Sequence, residues 1–251
     1  RLNQVIQSVS EAYECYSFMD VYRTIFNFLT NDLSAFYLDF AKDVVYIQSE
    51  NSLERRRMQT VMYEILVKLT KLLVPIIPHT AEEIWSYLEQ EDEAYAYLTE
   101  MPKADSMQNA DEIIDVWTAF LDFRTSVHKA LEIARDEKVI GKSLEASVMV
   151  YPDEAVKVLL ASVAETEDVA TLLIVSELIV SDQAAPEDAV KVGDTAITVN
   201  HAVGGVCQRC RRIDESVGTN ANAHLVELCD HCASIVTLEF PEAAAEGFES
   251  K

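Results

Sequence analysis

Four cysteines near the end of the chain carry the clearest chemical signal. They form two C-x-x-C pairs, Cys207-Gln-Arg-Cys210 and Cys229-Asp-His-Cys232, with 18 residues between the pairs. Two intervening residues let a tight turn direct both sulfurs of a pair at one ion. Four thiolates complete a tetrahedron around Zn²⁺ and leave no position for substrate or water. The spacing therefore predicts one structural zinc ion rather than a catalytic one.

Two other interpretations of these cysteines remain open, namely two disulfides or a dithiol redox centre. No signal peptide precedes them, which predicts the reducing cytoplasm, where paired cysteines usually bind metal. His231, His201 and His224 are near enough in sequence to replace a ligand, but the complete cysteine set makes that unnecessary. The fifth cysteine, Cys15, is expected to be a buried thiol in an apolar stretch.

The charge of the chain limits its partners. Acidic residues number 43 against 20 basic ones, and the net charge is −23, so nonspecific nucleic-acid binding is disfavoured. RNA contacts must then be local, and two basic clusters qualify. Their alternative interpretation is a solvated or ion-paired surface, with at least one arginine of the first cluster paired to Glu54 or Asp43. The clusters are Arg55, Arg56 and Arg57, and Arg209, Arg211 and Arg212.

The first part of the chain has the periodicity of helices. Apolar residues recur at helical spacing up to about residue 90. A break is expected at Asn31-Asp32, and a long amphipathic helix from Leu53 to Val74 ends at prolines. Thr80 followed by Glu83 is typical of a capping box that begins another helix. Helices joined by short breaks predict an antiparallel bundle with an aromatic core.

The middle of the chain changes character twice. Residues 89–109 are acidic and polar and are interpreted as a linker. A second long helix is predicted from Asp111 to Val139, with Gly141 as its stop. Alternation predicts a strand at Ala146–Tyr151, and Asp153 caps a helix that runs to Val163.

The remaining pattern predicts a small α+β unit. Leu172–Val180 is rich in β-formers, and Ala189–Val192 and Thr195–Val199 flank the hairpin signal Gly193-Asp194. Ile235–Phe240 is predicted to close the zinc segment as a strand, and the Ala/Glu-rich end from Pro241 is expected to fray.

The predicted fold is therefore mainly α, with an antiparallel helical bundle, a small α+β junction domain and a four-cysteine zinc ribbon or knuckle. Residues 1–105 form the bundle with its linker, and residues 106–203 form the long helix and junction domain. Residues 204–241 form the zinc module, and residues 242–251 a flexible tail. No apolar run reaches the roughly 18 residues of a membrane span. No nucleophile elbow, H-E-x-x-H motif or dinucleotide loop is present, so no catalytic residues are predicted.

Three stretches resemble the C-terminal part of bacterial isoleucyl-tRNA synthetases. The first runs from Arg55-Arg-Arg-Met-Gln-Thr60 to Leu73-Val-Pro-Ile-Ile-Pro-His-Thr-Ala-Glu-Glu-Ile-Trp85 and is similar to the class Ia anticodon-binding helical domain. The second, Lys138-Val-Ile-Gly-Lys-Ser-Leu-Glu-Ala146, is similar to the junction of the isoleucyl branch. The third is the paired C-x-x-C. The three stretches occur in the order found in the family.

The resemblance implies that this piece binds the anticodon stem-loop of tRNA(Ile) in the cytoplasm. Attachment of isoleucine to tRNA, with ATP and Mg²⁺, would belong to the parent enzyme, whose catalytic and editing domains act in cis. The ATP-binding signatures of class I synthetases are absent from this sequence, so the piece alone should be inactive. Neither DNA nor a membrane is an expected partner. The alternative is a zinc-ribbon module that docks other proteins and binds no tRNA of its own.

Overall fold

The computed structural model describes residues 1–88, 93–192 and 195–246. Its contacts divide the chain into two compact units. The first contains Arg1–Val45 and Asn51–Asn109, and the second contains Tyr46–Glu50 and the described residues from Ala110 onward. None of the helices within the described ranges is both long enough and apolar enough to span a membrane.

The first unit is mainly helical, and the last two residues of its third helix, Tyr46 and Ile47, count with the second unit. Its helices are α1 (Leu2–Glu14), α2 (Phe18–Asn27), α3 (Leu38–Ile47), α4 (Leu53–Leu73) and α5 (Pro78–Trp85). A π-helical stretch, Phe28–Tyr37, joins α2 to α3. The core combines the apolar faces of α1, α2 and α4, with Val9 and Leu72 fully buried. The Tyr13 hydroxyl donates to the Leu72 carbonyl at 2.7 Å, and burial raises the pKa of Tyr13 to about 12.

Two local predictions for this unit are wrong. The backbone does not break at Asn31-Asp32 but continues through the π-helical stretch, because Phe28 and Leu33 are both buried on the core side. Thr80 does not begin α5. The helix starts two residues earlier at Pro78, whose fixed φ suits the first helical position.

The segment predicted as a linker packs against the bundle from residue 93 onward. Glu82 on α5 accepts hydrogen bonds from the backbone amides of Ala96 and Tyr97 at 3.1 and 3.0 Å. These bonds begin a 3₁₀ turn at Ala96–Leu98. The Trp85 indole donates to the Glu93 carbonyl at 2.8 Å. Residues 89–92 of the predicted linker lie outside the described residues.

The second unit is built on one long helix and a four-stranded sheet. The helix α6 (Ala110–Asp136) packs against the sheet, with Phe120, Val127 and Leu131 completely buried. The other elements are given in chain order. They are β1 (Ala146–Tyr151), α7 (Glu154–Ala164), α8 (Val169–Leu173), β2 (Glu177–Val180), β3 (Val190–Val192), β4 (Thr195–His201), β5 (Gly205–Val206), β6 (Ile213–Asp214), α9 (Asp230–Glu239) and α10 (Pro241–Glu246).

The sheet has the strand order β2-β1-β4-β3. Strands β1 and β2 are parallel, and α7 and α8 form the crossover between them. Strand β4 pairs antiparallel with both β1 and β3. The predicted strand Ala146–Tyr151 is confirmed, and so is the Asp153 cap, which accepts from the Val156 amide at 2.8 Å. The predicted turn Gly193-Asp194 lies outside the described residues.

Three predictions for the second unit need correction. The long helix ends at Asp136 and not at the predicted Val139, because Lys138 adopts a left-handed conformation with φ of 62°. The run Leu172–Val180, which is rich in β-formers, is not a single strand. It begins in the helix α8, and only Glu177–Val180 is a strand. The chain after Pro241 does not fray at once, since α10 buries Ala244.

Candidate metal centre and nucleic-acid interface

The first cysteine pair lies at the tip of a small hairpin. Strands β5 and β6 pair antiparallel and enclose Cys207 and Cys210. The Cys207 amide donates to the Arg212 carbonyl, and the Arg211 amide donates to the Cys207 carbonyl, both at 2.9 Å. Gly204 has φ of 124°, and a Cβ there would lie 2.3 Å from the Asp214 carbonyl oxygen. Only glycine therefore lets the hairpin close this tightly.

The second cysteine pair begins a helix. Cys229 is the N-cap of α9, and Cys232 lies in its first turn. The predicted closing strand Ile235–Phe240 is thus wrong. Its β-branched residues suggested a strand, but Ala233 and Val236 follow Cys229 at helical spacing and are buried in the module core. The helix N-terminus places backbone partial positive charge beside the two sulfurs, which would stabilise their thiolates once a metal ion has displaced the protons.

The geometry of the four sulfurs fits a tetrahedral metal ion. Their Sγ atoms all lie within 4.8 Å of one another, and Cys210 and Cys229 are 3.9 Å apart. A tetrahedron with Zn–S bonds of about 2.3 Å has edges of about 3.8 Å. All five cysteines are free in this structure, and none forms a disulfide. The four cysteines are therefore positioned to hold a metal ion.

Hydrogen bonding among the four thiols changes how readily each one loses its proton. Hydrogen bonds from Cys210, Cys229 and Cys232 lower the pKa of the Cys207 thiol. The same bonding to Cys207 raises the pKa of each of the other three thiols. The Cys229 amide also donates to the Cys207 sulfur at 3.3 Å. A metal ion must displace the remaining thiol protons, so its binding depends on pH.

The Arg209 guanidinium contacts protein atoms at the cysteine cluster and is not directed at solvent. Its guanidinium donates to the Ile47 carbonyl at 2.6 Å and lies 3.7 Å from the Cys232 sulfur. Ile47 also packs against the apolar core of the zinc module. Four thiolates around one divalent metal ion would carry excess negative charge. The Arg209 guanidinium beside them would offset part of that charge.

Arg212 ties the hairpin to the α+β part of the same unit. Its guanidinium donates to Thr171 at 2.5 Å and pairs with Asp168 at 3.4 Å. Partial burial alone would raise the pKa of the Asp168 carboxyl, but Thr171, Arg212 and the amide of Ala170 together lower it. Arg212 is therefore already engaged by protein groups.

Arg211 differs from both neighbours because it is exposed and has φ of 66°. A left-handed conformation is unfavourable for a side chain other than glycine by about 1 kcal/mol. The Arg211 guanidinium donates to Gln208 Oε1 of the same hairpin at 2.7 Å. Of the second cluster, Arg211 is the arginine most available to a ligand.

The first arginine cluster lies in the opening turns of α4. Arg56 and Arg57 are exposed, whereas Arg55 is half-buried and its Nε lacks a hydrogen-bond partner in the part of the chain that the structure describes. The expected ion pair with Glu54 or Asp43 is not found for any of the three among the described residues.

Several features of the site carried no usable sequence signal. The Arg209–Ile47 contact joins residues 162 positions apart, and no spacing rule covers such a distance. Cys15, expected to be buried, is exposed at the end of α1. His201, His224 and His231 are exposed and are not members of the candidate ligand group.

Comparison with known proteins agrees with this architecture. The family described as the anticodon-binding domain of tRNA ligase matches residues 1–150. The isoleucine–tRNA ligase of Lactococcus lactis subsp. lactis is 58% identical over 252 residues, which cover 99% of this chain. The isoleucine–tRNA ligases of Streptococcus sanguinis and Streptococcus gordonii are 56% and 57% identical over 250 and 251 residues, covering 100% of it.

The chain spans only about a quarter of these relatives, 27% of the first protein and 26% of the second. The match covers both the helical unit and the cysteine pairs, and the sequence resemblance to isoleucyl-tRNA synthetases is thereby confirmed. Because the family matches more than half of the chain, including all helices of the first unit, this protein belongs to the anticodon-binding domain family of tRNA ligases.

Proposed function

We propose that the chain is the tRNA-recognition part of an isoleucine–tRNA ligase and that it binds the anticodon stem-loop of tRNA(Ile). The observation that carries this proposal is the identity of more than half of all residues, over the whole chain, with relatives of that name. Catalysis, with ATP and Mg²⁺, would belong to further domains of such an enzyme acting in cis.

The metal in this proposal is Zn²⁺, held by Cys207, Cys210, Cys229 and Cys232. Four thiolates in tetrahedral array are the ligand set of structural zinc, and they leave no position for a reacting group. The ion would hold the hairpin and the start of α9 in fixed positions relative to each other. It would thereby also fix the position of the exposed Arg211 in the hairpin.

The proposed RNA contacts remain the two arginine clusters, now with distinct roles. Arg211 and the exposed Arg56 and Arg57 would meet phosphates or bases of the loop. Arg209 and Arg212 would act chiefly by holding the zinc hairpin in place, since their guanidinium groups are engaged by protein atoms. Arg55, half-buried, would contribute least.

The proposed working division of the chain has four parts. Residues 1–105 are an anticodon-binding bundle, and residues 106–203 are a junction domain. Residues 204–241 are the zinc module, and residues 242–251 are a tail, of which α10 already packs by Ala244. The zinc module would present Arg211, while the junction domain supports it through Asp168 and Thr171.

The direct test is a gel-shift comparison of tRNA(Ile) with a non-cognate tRNA at low and moderate salt, with zinc content measured on the same sample. We expect a preference for tRNA(Ile) and one equivalent of zinc. Zinc without any tRNA preference would contradict recognition by this piece and would favour a module that docks proteins.

A single substitution separates RNA contact from folding. Arg211→Gly removes the charge, and glycine suits the left-handed backbone at this position, so zinc content and stability should be unchanged. The affinity for tRNA should fall, and the dependence of that affinity on salt should become shallower by about one charge. Lys129→Gln, on the exposed side of α6, is a matched control for the lost charge. Equal affinities for Arg211→Gly and the unaltered chain would exclude Arg211 as a contact.

A further inference from the structure

An open cleft of about 380 Å³ lies at one end of the four-stranded sheet, in the second unit. It is lined by Tyr151 at the carboxyl end of β1, by Ser181 just after β2 and by Thr195 at the start of β4. Crevices at the carboxyl ends of parallel strands are the usual ligand positions in sheets of this kind. No cysteine or arginine is among its described lining residues, so it is separate from the metal centre.

Two lysines line this cleft. Lys157 reaches it from α7 and Lys191 from β3. Lys157 pairs with Asp182, which also lines the cleft. Lys191 is exposed and forms no ion pair with any residue that the structure describes. In a chain with 43 acidic and 20 basic residues, the cleft therefore holds a cation that none of the described residues neutralises through an ion pair.

Hydroxyl groups complement the lysines. Ser181 Oγ accepts a hydrogen bond from the Gln183 amide at 3.2 Å, which leaves its own hydrogen available to an acceptor. Thr195 lines the same cleft and is buried. Lysine ammonium groups with hydroxyl donors suit an anion with several oxygen acceptors, and a phosphate group has this character.

We propose that this cleft binds a phosphate group, held by Lys191 and Lys157 with Ser181 as a hydroxyl donor. Asp182 competes with the phosphate for Lys157, so it sets how strongly the cleft binds. The phosphate belongs either to an RNA backbone or to a free phosphorylated compound, and the chemistry of recognition is the same. The site does not rest on the proposed tRNA binding, because inorganic phosphate alone probes it.

The test is a titration of the zinc-loaded chain with inorganic phosphate, followed by amide NMR signals. Saturable shifts are expected at residues 181–183, 191 and 195–196. Lys157→Gln with Lys191→Gln should weaken phosphate binding about tenfold, whereas Lys129→Gln should not, because Lys129 does not line the cleft. Both lysines are on the surface, so the double variant should fold.

A gain of affinity gives the sharper comparison. Asp182→Asn frees Lys157 and should strengthen phosphate binding about two- to fivefold. Asp188→Asn makes the same change in net charge outside the cleft and should leave the affinity unaltered. Equal gains for both variants, or no saturable shift at the cleft amides, would overturn the proposal.

A second titration, with a short RNA stem-loop, identifies the source of the phosphate. If the RNA shifts the same amides and the double lysine variant weakens it, the ligand is an RNA phosphate. If inorganic phosphate binds and the RNA leaves these amides unchanged, the site takes a free phosphorylated compound. Both results support a phosphate site, and neither depends on whether tRNA(Ile) is preferred over another tRNA.

Discussion

At the scale of single residues, adjacent arginines of one cluster have different surroundings. Arg209 donates to a distant carbonyl and a cysteine sulfur, while Arg212 binds Thr171 and Asp168. Arg211, between them in the hairpin, is exposed in a left-handed conformation. The hairpin backbone determines this division, because the amide of Arg211 and the carbonyl of Arg212 are both bonded to Cys207. Charge density alone therefore does not say which arginine meets a ligand.

The thiol cluster makes a prediction about pH. Hydrogen bonding to Cys207 raises the pKa values of Cys210, Cys229 and Cys232, which favours the protonated thiols over the thiolates that bind metal. Zinc must displace those protons, and its affinity should fall as pH falls. We expect the apparent zinc affinity to drop by more than about tenfold per pH unit between pH 8 and 6, measured by chelator competition.

Cys15→Ser provides the control for this titration, because Cys15 is exposed and outside the cluster. It should reproduce the curve of the unaltered chain. A zinc affinity that stays constant across this pH range would contradict proton displacement from the thiols.

At the scale of the elements, three helices are followed by a left-handed residue that is not glycine. The chain has six glycines, and α1, α6 and α8 are each followed by a left-handed residue of another type, Tyr16, Lys138 and Ile174. After α6 the amides of Lys138 and Val139 donate to the carbonyls of Arg135 and Ala134, as in a Schellman motif. This turn lets Ile140 fold back into the core.

This backbone geometry predicts that Lys138→Gly stabilises the protein. Glycine adopts positive φ without the steric penalty of a Cβ, so the free energy of unfolding should rise by about 1 kcal/mol in urea titrations. Glu137→Gly, one position earlier and outside the left-handed residue, should lower it by about 0.5–1 kcal/mol. Destabilisation by both variants would mean that the Lys138 side chain contributes more than its conformation costs.

At the scale of the whole molecule, the helical unit and the four-cysteine module of the second unit draw stability from different sources. The helical unit has a continuous apolar core formed by α1, α2 and α4. The module that contains the four cysteines has a small core in which the buried cysteines are themselves members. Few buried side chains surround them, so we expect the module to depend on metal binding, which is worth about 10–16 kcal/mol for comparable zinc peptides.

Removal of the metal should therefore affect the molecule unevenly. Cys210→Ser, or a strong chelator, is expected to unfold residues 204–240 and leave the helices of the first unit intact. Amide NMR reports the loss of dispersed signals from the module, and circular dichroism reports the retained helix. Unchanged module signals after complete metal removal would show that the small core is sufficient.

The sequence alone was sufficient for features that depend on neighbours along the chain. Three sequence patterns each depend on residues close together in the chain, so each predicted its element. They are the C-x-x-C spacing, the long apolar stripe of α6 and the alternation of β1. The Asp153 cap was predictable for the same reason. The resemblance of three stretches to isoleucyl-tRNA synthetases added the order of the parts.

Only the tertiary structure decided features that depend on burial across the chain. Residues 235–240 have the β-branched composition of a strand, yet they complete α9 because their apolar face packs into the module core. Gly141 had the right chemistry to stop α6, but burial of Ile140 required the turn earlier, at Lys138. The different contacts of Arg209, Arg211 and Arg212 likewise depend on partners far away in sequence. Local preferences amount to about 1 kcal/mol or less per residue, so packing against distant residues outweighs them.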